Sequence, residues 1–275
     1  MTNRNIGISV DWDYFTPYET IWDIQHQESQ LYLDFIWQTR GHLIDLYKTS
    51  GEEKTFWLWL LSLGHPGDVL TVGESHATIV RDPGIWHEAD MILLFDQHHD
   101  CWQCHDDNRD DDGRMEHVAC HNWGRAWLED NPARRLVWVY PDWLDLEKNY
   151  GEILDPKHES DVADLMHETE QLIVLPRKDF DFSHYEADNV SGVHLCRSGC
   201  WVPPWLDAAF CQFALASGLL IEKAHVQMDT KVWDPMRIRW SQEQLDNARH
   251  LTEQSRRSFE ELHEAQKKYG NQRQG

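Results

Sequence analysis

Basic residues are scarce in this chain. Lys and Arg number 25 against 48 Asp and Glu, a formal charge of −23 over 275 residues. The shortage argues against nucleic acid, whose phosphates need a basic face, and against anionic membrane surfaces. Long apolar runs are lacking too: none approaches the length of a membrane span. The opening residues MTNRNIGISVDWDYF have no apolar core of the kind that directs secretion. These absences lead to the expectation of a cytoplasmic protein. Cysteine numbers only six, which in a cytoplasmic chain of this length does not make a disulfide scaffold. Internal repeats and clear linkers are missing as well. Residues 1–240 are therefore read as one domain, and residues 241–275 as a helical appendage.

Against these absences stand 15 Trp and an ordinary apolar content of 41 %. A chain of this length can bury a sizeable core. The Trp residues are read first as bulky core and surface anchors, with a groove for an extended ligand as the alternative. The negative charge serves solubility or draws in a basic substrate or peptide; the sequence leaves both open.

Short, near-continuous apolar runs recur at residues 6–10, 69–72, 91–95, 136–140, 172–175 and 193–196. Such runs fit strands buried on both faces. Helical patterns occupy residues 30–47, 161–170 and 206–220, and a charged helix capped by Ser241 extends to residue 268. The alternation predicts an α/β fold, a three-layer α/β/α sandwich around a mostly parallel sheet, plus the C-terminal helix. Ligands of such sheets gather at the carboxyl ends of strands, which is where this sequence puts its acids and histidines. Residues 101–113 form an Asp-rich loop expected to rim that end.

Asp96, His98 and Asp100 alternate at one strand end, and alternating strand residues point the same way. Asp11 and Asp13 repeat the spacing after the first run, and His76 follows a third at a Gly-containing turn. Mixed carboxylate and imidazole donors suit a borderline-hard divalent metal. Six such groups can hold two ions, and acids packed this densely without a cation would repel one another or shift their pKa values strongly.

These segments resemble known motifs. Ser9-Val10-Asp11-Trp12-Asp13 is similar to the S-x-D-x-D signature of ureohydrolases, the arginase and agmatinase superfamily. Asp96-Gln97-His98-His99-Asp100 resembles their D-x-H-x-D signature, and Gly73-Glu74-Ser75-His76 their G-G-D-H-S turn. The S-x-D-x-D segment comes first here and late in ordinary ureohydrolases, so the resemblance implies a permuted or relocated strand. A closer resemblance is to the divergent arginase-like family that includes peptide arginases of ribosomal peptide natural-product pathways. It extends to Arg197-Ser198-Gly199-Cys200-Trp201-Val202-Pro203-Pro204 and covers roughly residues 6–210. The resemblance implies a binuclear Mn2+ centre held by Asp11, Asp13, His76, Asp96, His98 and Asp100. The implied activity is hydrolysis of peptidyl arginine to ornithine and urea.

Roles follow as expectations. Asp100 accepts a hydrogen bond from the attacking water. A His near its ordinary pKa protonates the departing amine; His121 is the first choice, and His99, His105 and His117 compete. A guanidinium needs a carboxylate partner. Glu74 is read either as that partner or as a group bracing a metal ligand. Arg197 is read as holding a structural Asp or, as the alternative, anchoring a substrate carboxylate. Cys101, Cys104, Cys120 and His121 could bind structural zinc. Cys101-Trp102-Gln103-Cys104-His105 fits a haem-attachment pattern, which the lack of an export signal argues against. Other functions kept open are hydrolysis of free arginine, agmatine, another guanidino compound or an amide, and a non-catalytic metal-containing module that binds basic peptides. The sequence leaves oligomeric state undetermined.

Overall fold

The computed structural model describes residues 5–17, 37, 47–63, 67, 69–81, 86–102, 118–146, 165–166, 169–185 and 190–225. The apolar runs become strands of one seven-stranded, all-parallel sheet. They are β1 (Ile6–Asp11), β2 (Val69–Gly73), β3 (Met91–Phe95), β4 (Arg135–Tyr140), β5 (Leu172–Pro176), β6 (Val190–Cys196) and β7 (Leu220–His225). The order across the sheet is β5-β4-β3-β1-β6-β2-β7. Central strands carry near-continuous apolar runs because both faces are covered: every residue of β1 and β3 is buried.

Alternate strand residues feed two cores. Ile8, Val10, Leu93, Phe95, Val137 and Val139 face α1 (Glu53–Leu63) and, through Phe210 and Phe213, α4 (Asp207–Ala216). Ile92, Leu94, Leu136 and Trp138 face the other way. There they meet Ile79 of α2 (Thr78–Arg81) and Trp123, Trp127 and Leu128 of α3 (Trp123–Glu129). The result is the expected three-layer sandwich. Trp12, Trp37, Trp123 and Trp138 are fully buried, so for these the core-anchor reading holds. Three indole nitrogens, of Trp37, Trp57 and Trp138, also brace the backbone. Trp37 Nε1 donates to Gly199 O at 2.9 Å, Trp57 Nε1 to Phe213 O at 2.7 Å, and Trp138 Nε1 to Asp96 O at 2.9 Å.

Two elements differ from the sequence expectation. The helix expected over 206–220 ends at Ala216, and β7 begins at Leu220. Gly218 at φ 69° breaks the helix between them, and a short apolar run such as Leu219-Leu220-Ile221 fits a helix or a strand equally well. Helix α1 was not anticipated because Phe-Trp-Leu-Trp-Leu-Leu shows no clean apolar stripe. Of the helix expected over 30–47, Trp37 is helical and Tyr47 is not; of that over 161–170, Leu165 and Met166 are helical and Glu170 is not. The rest of both, residues 103–113, the Ser241 helix and the boundary at 240 lie outside the described residues. Among the described residues no helix is long and apolar enough to cross a membrane.

Candidate metal centre

Strand register brings the first groups together. Val10 pairs with Phe95 of β3, so Asp11 and Asp96 are the next residues on adjacent strands. On the other side Asp11 pairs with Cys196, and Cys196 with Gly73, the residue that opens the turn to His76. Acids and imidazole thus emerge side by side at the carboxyl edge of four neighbouring strands.

Beyond the strand ends the convergence arises differently from the alternation expected. β1 stops at Asp11 and β3 at Phe95. Asp11 caps a 3-10 turn (Trp12–Phe15), accepting from Asp13 N at 2.9 Å. Asp96 Oδ1 likewise accepts from His98 N at 2.7 Å. Each acid therefore folds the chain back and presents the residue two places on. The two turns are linked where Gln97 N donates to Asp13 Oδ1 at 3.4 Å. Asp100 adopts φ 52°, a conformation few non-glycine residues take. Its carbonyl accepts from Gly124 N at 2.9 Å, and a side chain on Gly124 would run into that carbonyl.

All six proposed ligands meet in one cluster, five of them buried and His98 half-buried. His76 Nδ1 lies 3.3 Å from Asp11 Oδ2, 3.2 Å from Asp96 Oδ2 and 3.0 Å from Asp100 Oδ2. His98 Nδ1 lies 2.9 Å from Asp13 Oδ2 and 3.7 Å from Asp96 Oδ1. Within 4.8 Å of one another are the donor atoms of three groups: His76, Asp96 and Asp100; Asp13, Asp96 and His98; Asp11, His76 and Cys196. Asp96 belongs to two of them, with one oxygen toward each histidine. These buried Asp/His groups can hold a metal ion.

The electrostatics are those of closely packed carboxylates and imidazoles. Burial, then the charge of Asp13, pushes Asp11 up to about 8. Burial and Asp13 also push Asp96 well above the carboxylate range. Asp100 moves the other way: burial would raise it, but the hydrogen bond and charge of His76 outweigh that, and Trp123 Nε1 donates to Asp100 Oδ2 at 2.6 Å. Burial would lower His76 and His98, but the acids win and raise both, through Asp11 at His76 and Asp13 at His98. Asp96 Oδ2 is buried with no hydrogen bond, although it lies 3.2 Å from His76 Nδ1. The two atoms lie close without forming a hydrogen bond, His76 Nδ1 being engaged with Asp100 Oδ2 at 3.0 Å. A divalent cation there would satisfy both.

The other expected groups lie around this cluster. Glu74 Oε1 accepts from Arg197 Nη1 at 2.7 Å. The buried Arg197 also donates from Nε to Asp207 Oδ1 at 2.8 Å, so of the two readings of Arg197 the structural one holds. Ser198 at φ 59° and Gly199 follow, and a side chain on Gly199 would collide with the Arg197–Glu74 pair. His99 binds its own loop: its Nδ1 accepts from Cys101 N at 3.0 Å, its ring packs on Trp102, and burial depresses it to about 3. His121 is half-buried, and its carbonyl accepts from Trp102 N at 3.1 Å. Cys101, Cys120 and His121 do not form a ligand group among the described residues, and Cys104, His105 and His117 lie outside them.

Three contributors were not picked out from sequence, and a fourth, Trp201, entered only as part of the Arg197–Pro204 segment. Trp123 holds Asp100. Cys196 joins Asp11 and His76. Trp201 packs on His98 with ring centroids 4.6 Å apart. His194 contacts Thr71 Oγ1 at 3.0 Å and Thr78 Oγ1 at 3.3 Å, while Thr78 Oγ1 donates to Ser75 O at 2.7 Å, bracing the turn that carries His76. Only register could have flagged Cys196 and His194, since they sit within an otherwise ordinary strand. Comparison with protein-family models, curated proteins and solved structures returned no match.

Proposed function

We propose that this protein is a binuclear manganese hydrolase that converts arginine residues in a peptide to ornithine with release of urea. The observation that carries the reading is Asp96, whose two oxygens face two histidines in two ligand groups. One carboxylate shared in this way fits two cations held close together. Four carboxylates and two imidazoles favour manganese over a soft-ligand metal. When bound, the ion pair supplies a water acidic enough to ionise near neutral pH, for attack on the guanidinium carbon.

The chain's own residues do the rest. Asp100 is fixed by His76 and Trp123 and kept ionised, so it can accept a hydrogen bond from the attacking water. His121 donates the proton that the ornithine amine takes as it departs. The excess of acids draws a cationic peptide toward the sheet edge. The engagement of Glu74 with Arg197 favours a second reading, hydrolysis of an amide at the same centre, because that acid already serves an internal guanidinium.

The test incubates the manganese-loaded protein with arginine-containing peptides, free arginine and agmatine. It follows urea and, by mass spectrometry, the mass difference between arginine and ornithine. Urea from peptides in preference to the small molecules is the expected result. No urea, with a peptide or side-chain amide cleaved instead, overturns the arginine assignment in favour of the second reading.

A further inference from the structure

We propose that Cys196 is a thiolate donor to the metal position bounded by Asp11 and His76, making the two positions of the centre chemically unlike. The inference rests on the reading of the cluster as a two-metal centre and goes beyond it, because oxygen and nitrogen donors alone complete that reading.

The placement is dictated by the sheet. Cys196 ends β6 in register with Asp11 of β1 and Gly73 of β2, so its side chain emerges between the strands that deliver Asp11 and His76. Its sulfur, an Asp11 oxygen and a His76 nitrogen lie within 4.8 Å of one another. The residue is buried, and its thiol makes a long contact of 3.7 Å to Glu74 O. A thiol hydrogen bond is weak, so metal ligation gives up little.

The second position has no sulfur: Asp13, Asp96 and His98 offer oxygen and nitrogen only. Thiolate selects softer ions such as zinc, whereas carboxylate-rich sets suit manganese and magnesium. The position beside Cys196 should therefore bind zinc, cobalt or iron more tightly than the position beside His98 does, while both still take the manganese of the proposed centre. Ligation is proton-balanced: the cation displaces the thiol proton to solvent, and no electron is transferred.

Cobalt(II) added to the metal-free full-length protein tests this. The expected result is two bound ions, with a near-ultraviolet sulfur-to-cobalt charge-transfer band from one of them. Cys196→Ser should still bind two ions but lose that band, with one binding step weakened by on the order of tenfold or more. Cobalt-edge X-ray absorption on the unmutated protein gives an independent reading should the variant fold poorly. A sulfur scatterer that persists in Cys101→Ser/Cys120→Ser supports the proposal. Two bound ions with only oxygen and nitrogen neighbours would overturn the Cys196 assignment while leaving the centre standing. A band surviving in Cys196→Ser overturns it as well. Absence of any cobalt binding removes the centre itself, a result separate from losing only the sulfur signal.

Discussion

Asp96 and His98 differ in reach although only two residues separate them. Asp96 faces His76 with one oxygen and His98 with the other, whereas His98 pairs with Asp13 and Asp96 among the described acids. Truncating Asp96 should therefore disable both metal positions, and truncating His98 only one. Asp96→Ala is expected to bind manganese at least about a hundredfold more weakly at both steps. His98→Ala should fall from two ions to one, read by calorimetry with elemental analysis. Equal losses in the two variants would contradict the shared-carboxylate geometry. A pH dependence belongs to the same residues. The unfolded chain binds fewer protons than the folded chain wherever a folded pKa is raised, as at Asp11, Asp96, His76 and His98. For Asp11 the stabilising contribution is complete below 3.8 and lost as pH rises through about 8. The lowered Asp100 works in the opposite sense, gaining above its ordinary value, but it is one group against four. Chelator-treated protein should thus show a Tm that falls as pH rises from weakly acidic to weakly alkaline. Manganese should offset the fall, most at the alkaline end; a chelated protein whose Tm rises over that range would refute the crowded-anion account.

At the scale of elements, the buried strands were the most legible part of the chain. Continuous apolar runs such as Met91–Phe95 are ambiguous singly, but their five-residue length, polar ends and regular recurrence favour buried strands. The candidate ligands could be picked out because Asp and His recur together at strand ends, and the structure brings all six into one cluster. Their geometry was not legible, since the alternation argument assumed strands continuing to Asp13 and Asp100. Those residues in fact sit in turns closed by aspartate side chains and, at Asp100, by positive φ. β7 was hidden by Gly218, whose role as a stop shows only once the chain turns there. The Arg197 cluster was half legible: the residue was noted, but its tie between the β2 turn and α4 depends on strand order. Arg197 pairs with Glu74 just before His76 and with Asp207 at the start of α4. Arg197→Met should leave two acids without their cation and cost about 3–5 kcal/mol in denaturant unfolding. It should also loosen metal binding at the His76 position more than at the His98 position. A variant of unchanged stability would show that the pair does not tie these elements together.

For the whole molecule, the net charge of −23 is the property that acts at distances beyond contact. Such a field raises the local concentration of cationic ligands and fades as the Debye length shortens from about 10 Å at 0.1 M salt to about 3 Å at 1 M. It acts on encounter rather than on groups already in the centre. If the proposed hydrolysis of arginine peptides holds, kcat/KM for one rich in lysine should then drop about tenfold or more between low and high salt, with kcat nearly constant. An arginine peptide flanked by neutral residues should lose less, and one flanked by acids should gain. The three-peptide comparison separates field from chemistry, because salt damage to the metal centre would lower kcat for all three alike. Identical salt curves for all three peptides would mean that the acidic surface serves solubility and does not guide substrate.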